Sequence, residues 1–130
     1  MGELSAGQQI AELRVTPDKY LPHRYAGASG DFNPIHIDPE FAKAVGLPNT
    51  ILHGLYMMGL TARAATEAAG GDPRSLRRLS VQFRGMGAPE TEIAVTGTVE
   101  SVEDGKAVID VVAAQGENQT IRNAEAEVAL

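Results

Sequence analysis

The stretch His53-Gly-Leu-Tyr-Met-Met-Gly-Leu-Thr-Ala-Arg-Ala-Ala-Thr-Glu-Ala-Ala69 decides how this chain folds. Its first turns are apolar on every side, so the helix it predicts should be buried all round. Gly59, Ala62, Ala65, Ala68 and Ala69 are small, which lets a sheet wrap closely against it. Gly70-Gly71 end it. A flat sheet cannot cover such a helix. A strongly curved antiparallel sheet can.

That sheet follows in the sequence. After Pro73 the pattern changes to period two. Leu76, Leu79, Val81 and Phe83 lie in one strand, the last three alternating with Ser80, Gln82 and Arg84. Ile93, Val95, Gly97 and Val99 mark the next inward face, then Ile109, Val111 and Ala113, then Ala124, Ala126 and Val128. Asp104-Gly105 is a strong two-residue hairpin signal, and Gly116-Glu117-Asn118 is the following turn. Before the helix, residues 8–15 read as a first strand. Pro17-Asp18 opens a helix running to Ala28, with Thr16 as its N-cap. Residues 39–45 form a short helix stopped by Gly46 and Pro48. The expected class is α+β, one domain over residues 1–130, with a buried helix on an antiparallel sheet.

Composition narrows the function. A net charge of -6 argues against a nucleic-acid binder. The absence of Cys removes disulfides, thiolate metal sites and a Cys nucleophile. The start, Met1-Gly2-Glu3-Leu4-Ser5, lacks a basic region followed by an apolar run, and the uncharged stretch through Ile51–Ala62 is too short to span a bilayer. A cytoplasmic protein with no membrane partner is the expectation. Residues 63–84 form the one cationic block, net +3, with Arg77, Arg78 and Arg84 as candidates for contact with a ligand phosphate. A solvated surface explains them equally well.

Two features carry chemistry. Asp31 and His36 sit five apart in a turn containing Asn33-Pro34. Pro34 stiffens the turn, and Asn33 can bond its own backbone. Such a loop can aim a carboxylate and an imidazole at one water molecule, and imidazole exchanges a proton near neutrality. The bland alternative is a turn-capping Asp31 and a satisfied core His36. The second feature is His53-Gly54, where the helix starts. The first amides of a helix lack internal partners and carry its positive end, and a glycine there lets a ligand carbonyl approach. Gly54 could equally serve tight packing. A metal held by His36, Asp38 and His53 matches no trusted spacing, so no metal is expected there. His23 is expected to be solvated or structural.

At these residues the chain resembles a known family. Tyr25-Ala-Gly-Ala-Ser-Gly-Asp-Phe-Asn-Pro-Ile-His-Ile-Asp38, followed by Phe41-Ala42 and His53-Gly54-Leu55, resembles the MaoC-like hydratases, which include R-specific enoyl-CoA hydratases and (3R)-hydroxyacyl-ACP dehydratases. The likeness runs from Val15 to Val128. It implies a hot-dog fold, a long central helix wrapped by a curved five-stranded sheet. It implies that Asp31 and His36 activate water and that the Gly54 amide polarises a thioester carbonyl. Asn33, Pro34, His53 and Leu55 would shape the site. The substrate would be an acyl-CoA or acyl-ACP thioester, with water added to or removed from a trans-2-enoyl group and an R product. The chain would pair as a homodimer, or as the catalytic half of a heterodimer.

Three positions depart from the pattern. Ala62, beside Thr61, stands where some members carry a serine. The loop Gly85-Met86-Gly87-Ala88-Pro89 differs, and Asn123 replaces a common glycine. Two other readings stay open: a thioesterase, for which Glu67 is the one acid on the central helix, and an acyl-thioester binding module. Acyl chain length would depend on how Tyr56, Met57, Met58, Leu60 and the 85–89 loop line a tunnel.

Overall fold

Residues 3–130 are described by a computed structural model. The order of elements is β1 (Leu13–Val15), α1 (Leu21–Ser29), α2 (Pro34–Ile37), α3 (Pro39–Ala44), α4 (Gly54–Ala68), a 3-10 turn at Pro73–Ser75, β2 (Leu76–Phe83), β3 (Ile93–Glu103), β4 (Lys106–Gln115) and β5 (Asn118–Ala129). The five strands form one antiparallel sheet in the order β1-β3-β4-β5-β2. Asp104 and Gly105 both take positive φ, 52° and 73°, as a primed hairpin turn requires.

Helix α4 packs against β2, β3, β4 and β5. Four strands span about 14 Å, wider than the contact stripe of one helix, so the sheet must curl to touch it. This is the hot-dog arrangement that the resemblance implies. The core is built from the inward phases of the strands, including Ile93, Val95, Val99, Ile109, Val111, Ile121 and Val128, closed by Met57, Leu60, Ala64 and Ala65 of α4.

Several sequence expectations need correction. Helix α4 is not buried all round: Leu55 is 62% exposed, Gly59 is exposed and Ala62 is half-buried. The sheet covers one side of the helix, and among the described residues no second sheet covers the other. The first strand is shorter than residues 8–15; only Leu13–Val15 pair in the ladder, with a lone bridge from Gln9 to Thr98. Helix α1 does not begin at Pro17. The Pro17 carbonyl accepts the Glu90 amide (2.7 Å), which ties that residue to another loop. The cap is Tyr20, and Pro22 is the proline in the first turn. Phe83 keeps the phase of Leu79 and Val81 but is 53% exposed, because it lies at the sheet's open end against Gly54.

The last departure in the sequence has a backbone cause. Asn123 has φ 49°, in the left-handed region that glycine tolerates and asparagine visits. It sits where β5 slips register against β2, between the pairs Ser80–Glu125 and Gln82–Arg122. Its amide donates to Gln82 Oε1 (2.9 Å).

Gln115 makes three of the bonds that fasten the 85–91 loop. Gln115 accepts the Ala88 amide (2.8 Å) and donates to the carbonyls of Ala88 (2.8 Å) and Thr91 (3.2 Å). Gln115→Leu keeps the size and strips these bonds. It should cost about 1–3 kcal/mol, read as a lower urea midpoint with an unchanged slope.

Candidate active site

The site is assembled from two crossing segments, residues 29–36 and residues 51–55. The first leaves α1 through Gly30, whose φ of 80° makes the left-handed exit. Three short side-chain bonds then shape the chain. The Asp31 amide donates to Ser29 Oγ, the Asn33 amide to Asp31 Oδ1 and the Ile35 amide to Asn33 Oδ1, each at 3.2 Å. The sequence reading puts His36 in a turn. It lies instead on α2, a single helical turn that Asn33 caps and Pro34 opens. Capping explains the change, since Asn at the cap and Pro in the first position favour a helix start.

Asp31 and His36 meet at this point. Asp31 Oδ2 stands 3.9 Å from His36 Nε2. That is too long for a direct hydrogen bond and suits a water held by both. The carboxylate side chain is 54% exposed and the imidazole 8%, so the acid faces the cleft and the ring backs it. His36 Nδ1 lies 2.7 Å from the Ile51 carbonyl. A carbonyl only accepts, so the hydrogen sits on Nδ1, and in the neutral ring the Nε2 lone pair is turned toward Asp31.

The second segment brings His53 and Gly54. His53 is buried, and its Nε2 lies 3.0 Å from the Asp31 carbonyl. Its ring stacks on His36 with centroids 3.8 Å apart and planes 18° apart. Tyr25 packs on it at 4.7 Å. The amides of Gly54 and Leu55 find no acceptor among the described residues, so the start of α4 presents free donors. A side chain at Gly54 would meet the Phe83 ring at 3.1 Å. The glycine therefore serves packing and access together. A cleft of about 290 Å³ joins Tyr25, Ser29, Asp31, His53, Gly54, Leu55 and Phe83.

A larger cavity, about 780 Å³, lies between the start of α1, Thr50–Ile51 and the 85–90 loop, and no side chain of the dyad lines it. Met57 and Leu60, expected along a tunnel, belong to the core instead, while Tyr56 and Met58 are half-buried. Burial pushes the Tyr56 phenol above its ordinary value.

Other candidates fall outside the cleft. Thr61 does not replace the missing serine: it is fully buried and its hydroxyl donates to the Met58 carbonyl (2.6 Å). Asp38 caps α3 through the Glu40 amide (3.0 Å) and joins no metal set with His36. Asp31, His36 and His53 do bring ligand atoms within 4.8 Å of one another. They fit a metal poorly. His53 Nε2 holds a hydrogen, and two rings stacked at 3.8 Å direct their lone pairs along near-parallel planes, away from a common point about 2.1 Å from both. Glu67 is exposed and paired with Arg63 (2.9 Å). His23 is exposed, edge-on to Tyr20. Arg84 is held by Gln82 Oε1 (2.6 and 3.0 Å) and follows Phe83 in the chain, without lining the cleft itself. Arg77 and Arg78 are exposed and make no ion pair among the described residues.

Sequence reasoning missed Tyr25, Phe83 and the Ile51 carbonyl as parts of the site. Tyr25 opens the stretch that carries the resemblance, which was its available signal. A backbone carbonyl leaves none.

Comparison with known proteins bears on the family and the fold. The family model described as "MaoC like domain" matches residues 6–121. The chain is 38% identical over 119 residues to a fatty acid synthase subunit beta of Aspergillus oryzae, covering 89% of this chain and 6% of that protein. It is 41% identical over 75 residues to the peroxisomal enoyl-CoA hydratase 2 of Arabidopsis thaliana, covering 57% of this chain and 23% of that protein. The chain thus spans under a quarter of these two relatives. The solved structure of an (R)-hydratase from A. caviae involved in PHA biosynthesis shares the fold, with a TM-score of 0.89 and 24% identity over 100% of this chain and 99% of that one.

The cap on α2 can be tested by itself. Asn33→Ala should cost about 1 kcal/mol in urea unfolding, and Asn33→Asp should restore most of it.

Proposed function

The chain belongs to the MaoC-like domain family, and from that premise we propose that it interconverts trans-2-enoyl and (R)-3-hydroxyacyl thioesters by adding or removing water. The observation that carries this reading is the gap of 3.9 Å between Asp31 Oδ2 and His36 Nε2, beside free amides at the start of α4. In the hydration direction, water sits between the two side chains. The His36 Nε2 lone pair draws a proton from the water as its oxygen bonds to C3. The C2=C3 electrons move through the conjugated carbonyl onto the thioester oxygen. The Gly54 N–H faces that oxyanion, a kind of donor whose loss costs about 3 kcal/mol in related settings. The proton then returns to C2, and the sum is one water added across the double bond. Dehydration reverses each step. No metal or redox cofactor enters the balance.

The carrier would be CoA or an acyl carrier protein. Arg84, which follows the cleft residue Phe83, is the candidate for contact with a carrier phosphate, with Arg77 and Arg78 on β2 as further candidates. A second hot-dog subunit would cover what this chain leaves open. Leu55 and Phe83 are both more than half exposed at the cleft, and β2 ends the sheet with one edge unpaired. A homodimer is the simplest partner, and a heterodimer with a related subunit uses the same surfaces. The thioesterase reading loses support because Glu67 is paired with Arg63 and lies outside the cleft.

The test is loss of the conjugated-thioester absorbance with trans-2-enoyl-CoAs of several lengths, with stereochemical analysis of the product. An R product is expected, without free thiol release. Asp31→Asn and His36→Gln should each lower kcat by about 10²- to 10⁴-fold. An Asp31→Asn protein with wild-type turnover would refute the mechanism. Arg84→Ala should raise KM for CoA substrates with kcat nearly unchanged, the mark of lost uniform binding; an unchanged KM rejects that role.

A further inference from the structure

We propose that His53 is the positioning residue of the site, setting the separation of Asp31 and His36 from both sides at once; this rests on the hydratase reading above.

The position of His53 in the fold calls for something else. It is the N-cap of α4, where Ser, Thr, Asp or Asn would satisfy a free amide. His53 makes no such bond. Its ring turns away from the helix and inserts between Tyr25 and His36, leaving it 2% exposed. Its Nδ1 is buried with no hydrogen-bond partner. An unsatisfied buried acceptor is disfavoured, so the capping role and the pairing of Nδ1 are both given up for what the rest of the ring does.

The rest of the ring does two things. Its edge donates: Nε2–H reaches the Asp31 carbonyl at 3.0 Å. That fixes the backbone of Asp31, whose carboxylate is already held at Oδ1 by the Asn33 amide. Oδ2 is then directed toward His36. Its face supports: the stack at 3.8 Å lies flat on the His36 imidazole. The Ile51 carbonyl holds one edge of that imidazole, so bond and stack together fix its swing and its tilt. One side chain therefore governs both ends of the gap of 3.9 Å in which the water would sit. A glutamine in place of His53 could keep an N–H near the Asp31 carbonyl without a face. A phenylalanine there could keep a face without the donor.

Two variants separate these contributions. His53→Gln and His53→Phe should each lower kcat about 10- to 100-fold, the cost of roughly an ångström of misplacement, with KM within about threefold and each fold verified by its thermal transition. A merely structural His53 would lower stability and leave the turnover of the folded fraction unchanged. Asp31→Asn is assayed alongside. If the wild-type protein turns over no enoyl thioester, the hydratase reading fails; if Asp31→Asn retains turnover, the Asp31–His36 mechanism fails. If Asp31→Asn is inactive while both His53 variants turn over within threefold of wild type, the inference about His53 fails and the reading stands.

A measurement without turnover guards against variants that do not fold. The chain has three histidines, so nitrogen-15 spectra of their rings can be assigned in the wild-type protein. His53 should appear as a single Nε2–H tautomer and His36 as a single Nδ1–H tautomer, with exposed His23 averaging. A His53 that carries its hydrogen on Nδ1, or that averages as His23 does, overturns the proposal.

Discussion

Two imidazoles and two backbone carbonyls hold this site together, and they do so by crossing. His36 donates to the carbonyl of Ile51, and His53 donates back to the carbonyl of Asp31. A third bond, from the Ile51 amide to the Ile35 carbonyl (3.1 Å), runs alongside. The 29–36 segment and the lead into α4 are thus laced together at main-chain level, where a buried polar group left alone would be costly. Each histidine does two tasks. It satisfies a carbonyl on the opposite segment, and it presents the remainder of its ring to the cleft or to the other histidine.

Everything else in the fold serves to bring those two segments to the same end of the sheet. The β3–β4–β5 meander is local in sequence and is legible from alternation alone. Ile109, Val111, Ala113, Ala124, Ala126 and Val128 all point inward as their period demands. The hairpin at Asp104-Gly105 is legible for the same reason, since its conformation is encoded by two residues. The existence of α4, and its near-complete span, follow from a run too apolar for a surface helix. The pairing of Asp31 with His36 is suggested by spacing, and family resemblance narrows it further.

What stays hidden is tertiary. Thr16-Pro17-Asp18 reads as a helix start, but the Pro17 carbonyl is taken by the distant Glu90 amide, and local propensity gives way to that bond. Phe83 alternates like a core residue, yet alternation fixes only which face a side chain points to. Whether that face is covered depends on where the strand ends. The apolar run from Leu55 to Leu60 reads as buried on every side, yet Leu55 and Gly59 are exposed. Hydrophobicity records what must leave water in the working protein, which includes surfaces that a partner would cover. His53 is visible in the sequence as a residue of the site, but its stack with His36 depends on the crossing of the two segments, and no spacing in the sequence encodes that.

The missing serine sharpens the physical argument. With Ala62 on the helix and the Thr61 hydroxyl committed to Met58, α4 contributes to this cleft through its first turn alone: free amides at Gly54 and Leu55, and an imidazole that faces backward from the cap. Apart from Tyr25, the residues with polar groups that line this cleft therefore lie within the crossing itself. Such a site has little tolerance for relative motion of its two segments, because no group elsewhere along the helix can compensate. The loop that abuts the crossing is correspondingly tight. Leu52 donates its amide to the Gly87 carbonyl (2.8 Å), and a side chain at Gly87 would press on Leu52 at 3.1 Å. Gln115 and Asn118 fasten the same loop from the far side. The rigidity that the proposed role of Asp31 and His36 requires is thus supplied from the sheet, through the 85–90 loop, to the residue that precedes His53.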